Sequence, residues 1–340
     1  MKRLRGLLLL VAGLHALGCM DGPVVQKARP PVVEKVGRMP GPDDLVHDSR
    51  HRRLLVSSHD RRNEAGAGRI FAVDLEDFQR GDPPHGRPLK LDFVNLSSSF
   101  QPHGIALLEQ HEPPLLFVIN HASSPESIDV FEVYPEKLRL RERLTGAAID
   151  HPNDLDVRRT ADGGYELWVT NPARGRKLAW ELLIGPHSSY VAHIRSGRAT
   201  RTYGFRYANG VAYRPSGQVW VASSVDQKLL RLADPTDEIE LDSVAHNITS
   251  DGPVTMLVTA GGSASGLLRY LRAGEQRDYV LPRSPTLVWR VYAGEPPTTT
   301  LLFEDDGRRI SGGSSAVCVD GTLFIGQVFD DFVAAVRGVC

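Results

Sequence analysis

Aspartate, asparagine and histidine recur along this chain in short polar steps, each placed ahead of a short apolar run. The steps are Asp43-Asp44, His103-Gly104, Asn153-Asp154, Asn209-Gly210, His246-Asn247 and Gly313-Ser314. The runs that follow, ten to fourteen residues on, are Leu54-Leu55-Val56, Leu116-Phe117-Val118, Leu167-Trp168-Val169, Val219-Trp220-Val221, Met256-Leu257-Val258 and Leu323-Phe324-Ile325. Carboxylate and amide oxygens gathered around one point suit a hard cation, which takes roughly six to eight oxygen ligands in irregular geometry. Imidazole beside such a point can exchange protons with water near neutral pH. Both chemistries require residues two hundred positions apart to meet.

Repetition supplies the means. If each repeat is one blade of a β-propeller, equivalent positions face a common axis and the polar steps converge there. Alternating second strands support this at Arg69–Val73, Ser127–Val133, Lys228–Leu232 and Leu267–Leu271, with turn signals at Asp162-Gly163-Gly164, Pro215-Ser216-Gly217 and Asp320-Gly321. The expected fold is all-β, a six-bladed propeller of four-stranded blades over residues 41–340. Uneven repeat spacing implies insertions, one of which holds a helix candidate near 176–184, Leu178–Ile184, stopped by Gly185-Pro186. Its apolar surface would line an entrance, touch lipid or pack over the end of the wheel.

Residues 1–18 read as a secretory signal: Lys2, Arg3 and Arg5 precede an apolar run, and Ala16-Leu17-Gly18 leads to Cys19. Small residues before a cysteine resemble a bacterial lipobox, although Ala16 stands where Leu, Val or Ile is usual. That pattern implies an exported, periplasmic or extracellular protein anchored to the outer membrane through a lipidated Cys19, with residues 19–40, rich in proline, as a tether. The formal net charge of −1, from 40 basic and 41 acidic residues, gives no attraction to nucleic acid. Cys318, within an apolar run, reads as a small buried hydrophobe, and its pairing with Cys340 is undecided by spacing. No Gly-x-Ser-x-Gly elbow, His-Glu-x-x-His or phosphate-binding glycine loop is present.

The polar steps with their neighbours resemble the paraoxonase and arylesterase family of six-bladed propellers. The matching stretches are Pro102–Ile105, Val118–His121, Pro152–Leu155, Tyr207–Val211, His246–Thr249 and Phe324–Phe329, in the family's order. The resemblance implies two calcium ions on the axis. It assigns Asp43, Asn153, Asn209 and Asn247 to a catalytic ion, and Asp44, Asp154 and the carbonyl of Ile105 to a deeper structural one. Two departures stand out: His246 occupies an acidic ligand's place, and Asp43 is shorter than the usual Glu. Losing an anionic ligand weakens a calcium site, and imidazole suits zinc, copper or iron better.

The resemblance further implies hydrolysis of a small ester or lactone, with the cation polarising the carbonyl and water activated by His103, oriented by His121. Water activated directly by the metal is the rival account. Two other functions remain open at this stage: a propeller that keeps its structural ion and serves as a binding or scaffold lipoprotein, to which His246 points, and a sugar-lactone hydrolase of the gluconolactonase type.

Overall fold

Each repeat folds into one antiparallel sheet whose first strand lies innermost. The computed structural model describes residues 31–60, 66–80, 86–92, 100–173, 187–262, 283–328 and 330–340. The inner strands are Pro42–Asp48, Pro102–Leu108, Leu155–Arg159, Ala208–Tyr213, Val244–Ser250 and Gly313–Val319, in blades one to six. Each touches the next around the ring, and the sixth touches the first. The wheel is therefore closed.

All six apolar runs read from the sequence become the second strands: Arg53–Ser58, Leu115–Asn120, Tyr165–Asn171, Val219–Ser223, Thr255–Gly261 and Thr322–Gln327. Blades on both sides cover them, so side chains on both faces must be apolar or paired. The core accordingly has no single centre. Six clusters fill the gaps between neighbouring blades, such as Leu54, Val56 and Phe71 against Val317, Phe324 and Val333 between the first blade and the last. Gaps filled this way hold the blades upright and leave the axis to polar groups.

Five blades have four strands; the second gains a fifth, Lys90–Asp92, parallel to Lys137–Leu144. Among the described residues there is one short helix, Leu75–Arg80, which follows the first blade's third strand. The fifth blade's third strand is Thr286–Tyr292; the stretch Leu267–Leu271 lies outside the described residues, as do the helix candidate 176–184, the signal region and Cys19.

Two features differ from the sequence reading. Glu34–Val36, inside the stretch read as a tether, is the outermost strand of the sixth blade, with Glu34 opposite Ala335 and Val36 opposite Val333. Three residues with little periodicity carry no strand signal of their own; pairing with the C-terminal strand makes them one. Cys318 is not a lone buried thiol but forms a disulfide with Cys340.

Closure by so short a strand rests on Val36, which is 0 % exposed. Val36→Asn should lower the free energy of unfolding by about 3 kcal/mol, combining lost apolar burial with a buried amide. The same change at Val32, 77 % exposed, should stay within about 0.5 kcal/mol. Urea denaturation of the two variants checks this.

Candidate active site

In five blades the ladder between the inner strand and its neighbour slips once; in four of them the residues skipped are the polar steps, and in the sixth blade they are Ser314-Ser315, one residue on from the step Gly313-Ser314. Register jumps from Pro42 to Leu45, Pro102 to Ile105, Ala208 to Val211, Ala245 to Ile248 and Gly313 to Ala316. A β-bulge sets two residues against one and re-aims their side chains. In the third blade Asn153-Asp154 sits just ahead of the strand, with the Asn153 amide donating to Thr170 O and the Thr170 amide to Asp154 O, both at 2.9 Å. Two glycines let the strands close in: a Cβ on Gly104 would lie 2.7 Å from Asn153 O, and one on Gly210 2.5 Å from His246 O.

Asp44 and Asp154 form the floor of the site. Asp44 Oδ2 accepts from the Ile105 amide of the next blade at 2.7 Å, and its Oδ1 from Leu45 at 2.8 Å. Asp154 repeats this, accepting from Val211 at 2.9 Å and Leu155 at 2.8 Å. Burial raises the Asp44 carboxyl to about 7; the amide of Ile105 opposes that shift, and the charge of Asp43 adds to it. Asp154 is raised well above the ordinary range by burial and then by the charge of Asp44. Each oxygen has a second lone pair beyond its backbone bond, and the Ser315 hydroxyl also approaches Asp44. Two repelling carboxylates with spare lone pairs are the donor chemistry a divalent cation matches. Among the described residues no three His, Cys, Asp or Glu side chains form such a group, so amide and carbonyl oxygens would have to complete it.

Beneath the floor a cavity of about 200 Å³ runs toward the downstream ends of the inner strands, lined by Asp44, Ile105, Asp154, Asp156, Val211 and Asn247 among others. Asp43, His103 and Asn209 do not line it. Each stands one or two residues upstream of a lining residue on its own inner strand, toward the upper end of the axis.

On that upper side four side chains stand in a row. Asp43 Oδ2 is 3.0 Å from His103 Nε2; His103 Nδ1 is hydrogen-bonded to His121 Nε2 at 2.8 Å; His121 Nδ1 is 3.0 Å from Glu126 Oε2. Filling three contacts takes three protons and two neutral imidazoles carry two, so the row has room for one more. Asp43 is fixed from behind, its carbonyl accepting from Ser314 Oγ and, at 2.8 Å, from Ser315 Oγ of the sixth blade. His246 comes to the same place from the fifth blade. Burial pushes its imidazole down to about 4, with the charge of Asp43 pulling the other way, so it is neutral near pH 7.

The structure thus brings Asp43, His103, His121 and His246 to one side of the floor and Asp44, Asp154 and Ile105 to its lower face; Asn247, which follows His246 and also lines the cavity, stands between the two. Asn209 is 7 % exposed, with its carbonyl gripped by Thr170 Oγ1 at 2.5 Å, and Asn153 is half-buried beside Gly104. Sequence reasoning missed Glu126 and Asp156. Glu126 ends the hairpin that begins at His121, a placement that only the strand register reveals.

The family model described as arylesterase matches residues 62–334. The chain belongs to the arylesterase family. The family places it among ester-hydrolysing enzymes. It is 26 % identical to serum paraoxonase/arylesterase 1 of Rattus norvegicus over 68 % of this chain and 67 % of that protein. It is 24 % identical to serum paraoxonase/arylesterase 2 of Homo sapiens over 77 % and 75 %. Among solved structures, the pyranose dehydrogenase PQQ domain of Coprinopsis cinerea superposes with TM-score 0.55 at 11 % identity, covering 91 % of this chain and 96 % of that one. That likeness shows the propeller fold alone.

Asp156 supplies a test of axial electrostatics. Its oxygens accept from the Val157 and Tyr213 amides, both at 2.7 Å, and burial raises its carboxyl from 3.8 to about 6. A carboxyl raised on folding contributes stability that is present below its unfolded value and lost as pH rises through the folded one. In chelator-treated arylesterase-family chain, Asp156→Asn should therefore flatten the decline in urea stability between about pH 4 and pH 6, relative to the unaltered protein.

Proposed function

We propose that this arylesterase-family chain is an exported, calcium-dependent hydrolase of carboxylic esters or lactones in which His103 removes a proton from the attacking water. The observation that carries the reading is the row Asp43–His103–His121–Glu126 standing directly above a floor of buried carboxylates. Export is supported by the Cys318–Cys340 disulfide, a bond of oxidising compartments. Among the described residues no helix is long and apolar enough to cross a membrane, and association through a lipidated Cys19 is part of this proposal.

Asp43, Asn153, Asn209 and Asn247, with neutral His246, would hold a calcium ion on the upper side; Asp44, Asp154 and the Ile105 carbonyl would hold a second, deeper one. When bound, the upper ion supplies positive charge toward the ester carbonyl and the oxyanion that develops there. The chain's own residues do the proton work. His103 Nε2 takes a proton from water as the water oxygen bonds to the carbonyl carbon, and the π electron pair moves to the carbonyl oxygen. The imidazolium so formed lies 3.0 Å from Asp43 and keeps its Nδ1–H on His121. When the carbonyl re-forms, the ester C–O bond breaks, and the leaving oxygen takes the proton back from Nε2.

Purified chain should turn over phenyl acetate or an acyl lactone, and a chelator should abolish it. Asn209→Ala should abolish turnover as well, whereas His103→Gln should reduce kcat by about 10²- to 10⁴-fold. Turnover that survives both chelation and Asn209→Ala would sink the reading.

Cation binding should also displace protons, because Asp44 and Asp154 are raised by burial and must ionise to serve as ligands. Calcium affinity should rise as pH increases from 6 to 8. Titration calorimetry in two buffers of different ionisation enthalpy should register proton release; heats identical in both buffers would contradict it.

A further inference from the structure

The hairpin between Leu115–Asn120 and Ser127–Val133 decides what stands behind the two imidazoles. Its register pairs Leu115 with Glu132 and Asn120 with Ser127, each pair summing to the same value, so the next rung beyond the ladder is His121 opposite Glu126. Directly opposed residues on neighbouring strands carry side chains within contact distance. Glu126 Oε2 accordingly lies 3.0 Å from His121 Nδ1, with the carboxylate 18 % exposed. The other carboxylate oxygen, Oε1, is 3.9 Å from His151 Nδ1, on the turn that leads into Asn153. One acidic side chain thus touches both the second imidazole and the approach to a proposed cation ligand.

We propose that Glu126 is a positioning residue: it holds the proton of His121 on Nδ1, which leaves His121 Nε2 as the acceptor for His103 Nδ1–H and so turns His103 Nε2 toward the reacting water. The inference rests on the hydrolase reading above. Which ring nitrogen carries the proton is set by what the other nitrogen faces, and a carboxylate fixes it as N–H. Asp43, 3.0 Å from His103 Nε2, draws that ring toward the Nε2–H form; with its charge committed to a bound cation, Glu126 prevails, and the Nδ1 proton of His103 has one acceptor, 2.8 Å away. Without it, the Nε2–H form of His121 would point a proton at His103 Nδ1, and the two rings could share a hydrogen bond only with His103 reversed, its own proton on Nε2. That is the form that cannot take a proton from water. No proton leaves the row in this scheme: the one gained at His103 Nε2 returns to the leaving oxygen.

The test uses the full mature chain with calcium, and two readouts. In ¹⁵N-labelled protein, His121 ring nitrogens, assigned by loss in His121→Asn, should show the Nδ1–H form; in Glu126→Leu they should shift to the Nε2–H form. With phenyl acetate, Glu126→Leu should lower kcat about 10- to 100-fold with KM within about twofold, and Glu126→Asp should recover most of the loss. Far-ultraviolet circular dichroism checks that Glu126→Leu folds; if it does not, Glu126→Gln carries the same two measurements. A His121 ring that is not Nδ1–H in the unaltered protein, or one unmoved by the substitution, overturns the proposal. So does an unchanged kcat. If the unaltered chain hydrolyses no ester, the hydrolase reading fails, while the ring signature still decides whether Glu126 sets the tautomer.

Discussion

Asp44 and Asp154 bring two carboxylates from different blades into an interior that favours neither charge, and the rest of the axis is arranged around that conflict. Removing a carboxylate from water without compensation costs several kcal/mol or more. Here each one spans a seam between blades, accepting an amide from its own strand and another from the next. The bonds offset part of the penalty and also lock neighbouring inner strands in register. What they do not remove is the mutual repulsion, and a divalent cation would turn that repulsion into binding energy. Asp156 extends the same device one step down the third blade, and its charge adds to the upward push on Asp154.

Above that floor the balance changes from buried charge to mobile protons. The inner-strand bulges make the change possible, because they let adjacent residues such as Asp43 and Asp44 serve opposite sides of one layer. His246 belongs to this upper side. Its neutral ring near Asp43 takes one negative charge away from the place where an acid is usual in the resembled family. The proposed upper site is thus less anionic than the proposed deeper one, which would grip a cation more tightly.

Much of the wheel was legible in the residues because its signals are local. Six apolar runs become six second strands, and four of the six polar steps fall where the ladder slips. What the sequence could not show depends on partners far along the chain. Glu34–Val36 is a strand only because Val333–Arg337 is there to pair with it, and Cys318 is a disulfide only because the terminus folds back. The bulges themselves have no composition signature; His103-Gly104 and Asn209-Gly210 read equally well as turns. Glu126 escaped for another reason. A lone acid in a hairpin loop is common, and only the rung count from Asn120 and Ser127 shows that it faces an imidazole.

The seam at the sixth blade sets the order in which this molecule can become itself. Arg337 meets Glu34 across a sequence separation of 303, and Asp43 is gripped by Ser314 and Ser315 from the far end of the chain. Loop-closure entropy makes such contacts late ones. A chain in which only the first five blades have formed is therefore an open arc, in which Asp43 lacks its grip and the row of imidazoles has no anchored end. Competence arrives with the last thirty or so residues, all at once, when the arc becomes a circle.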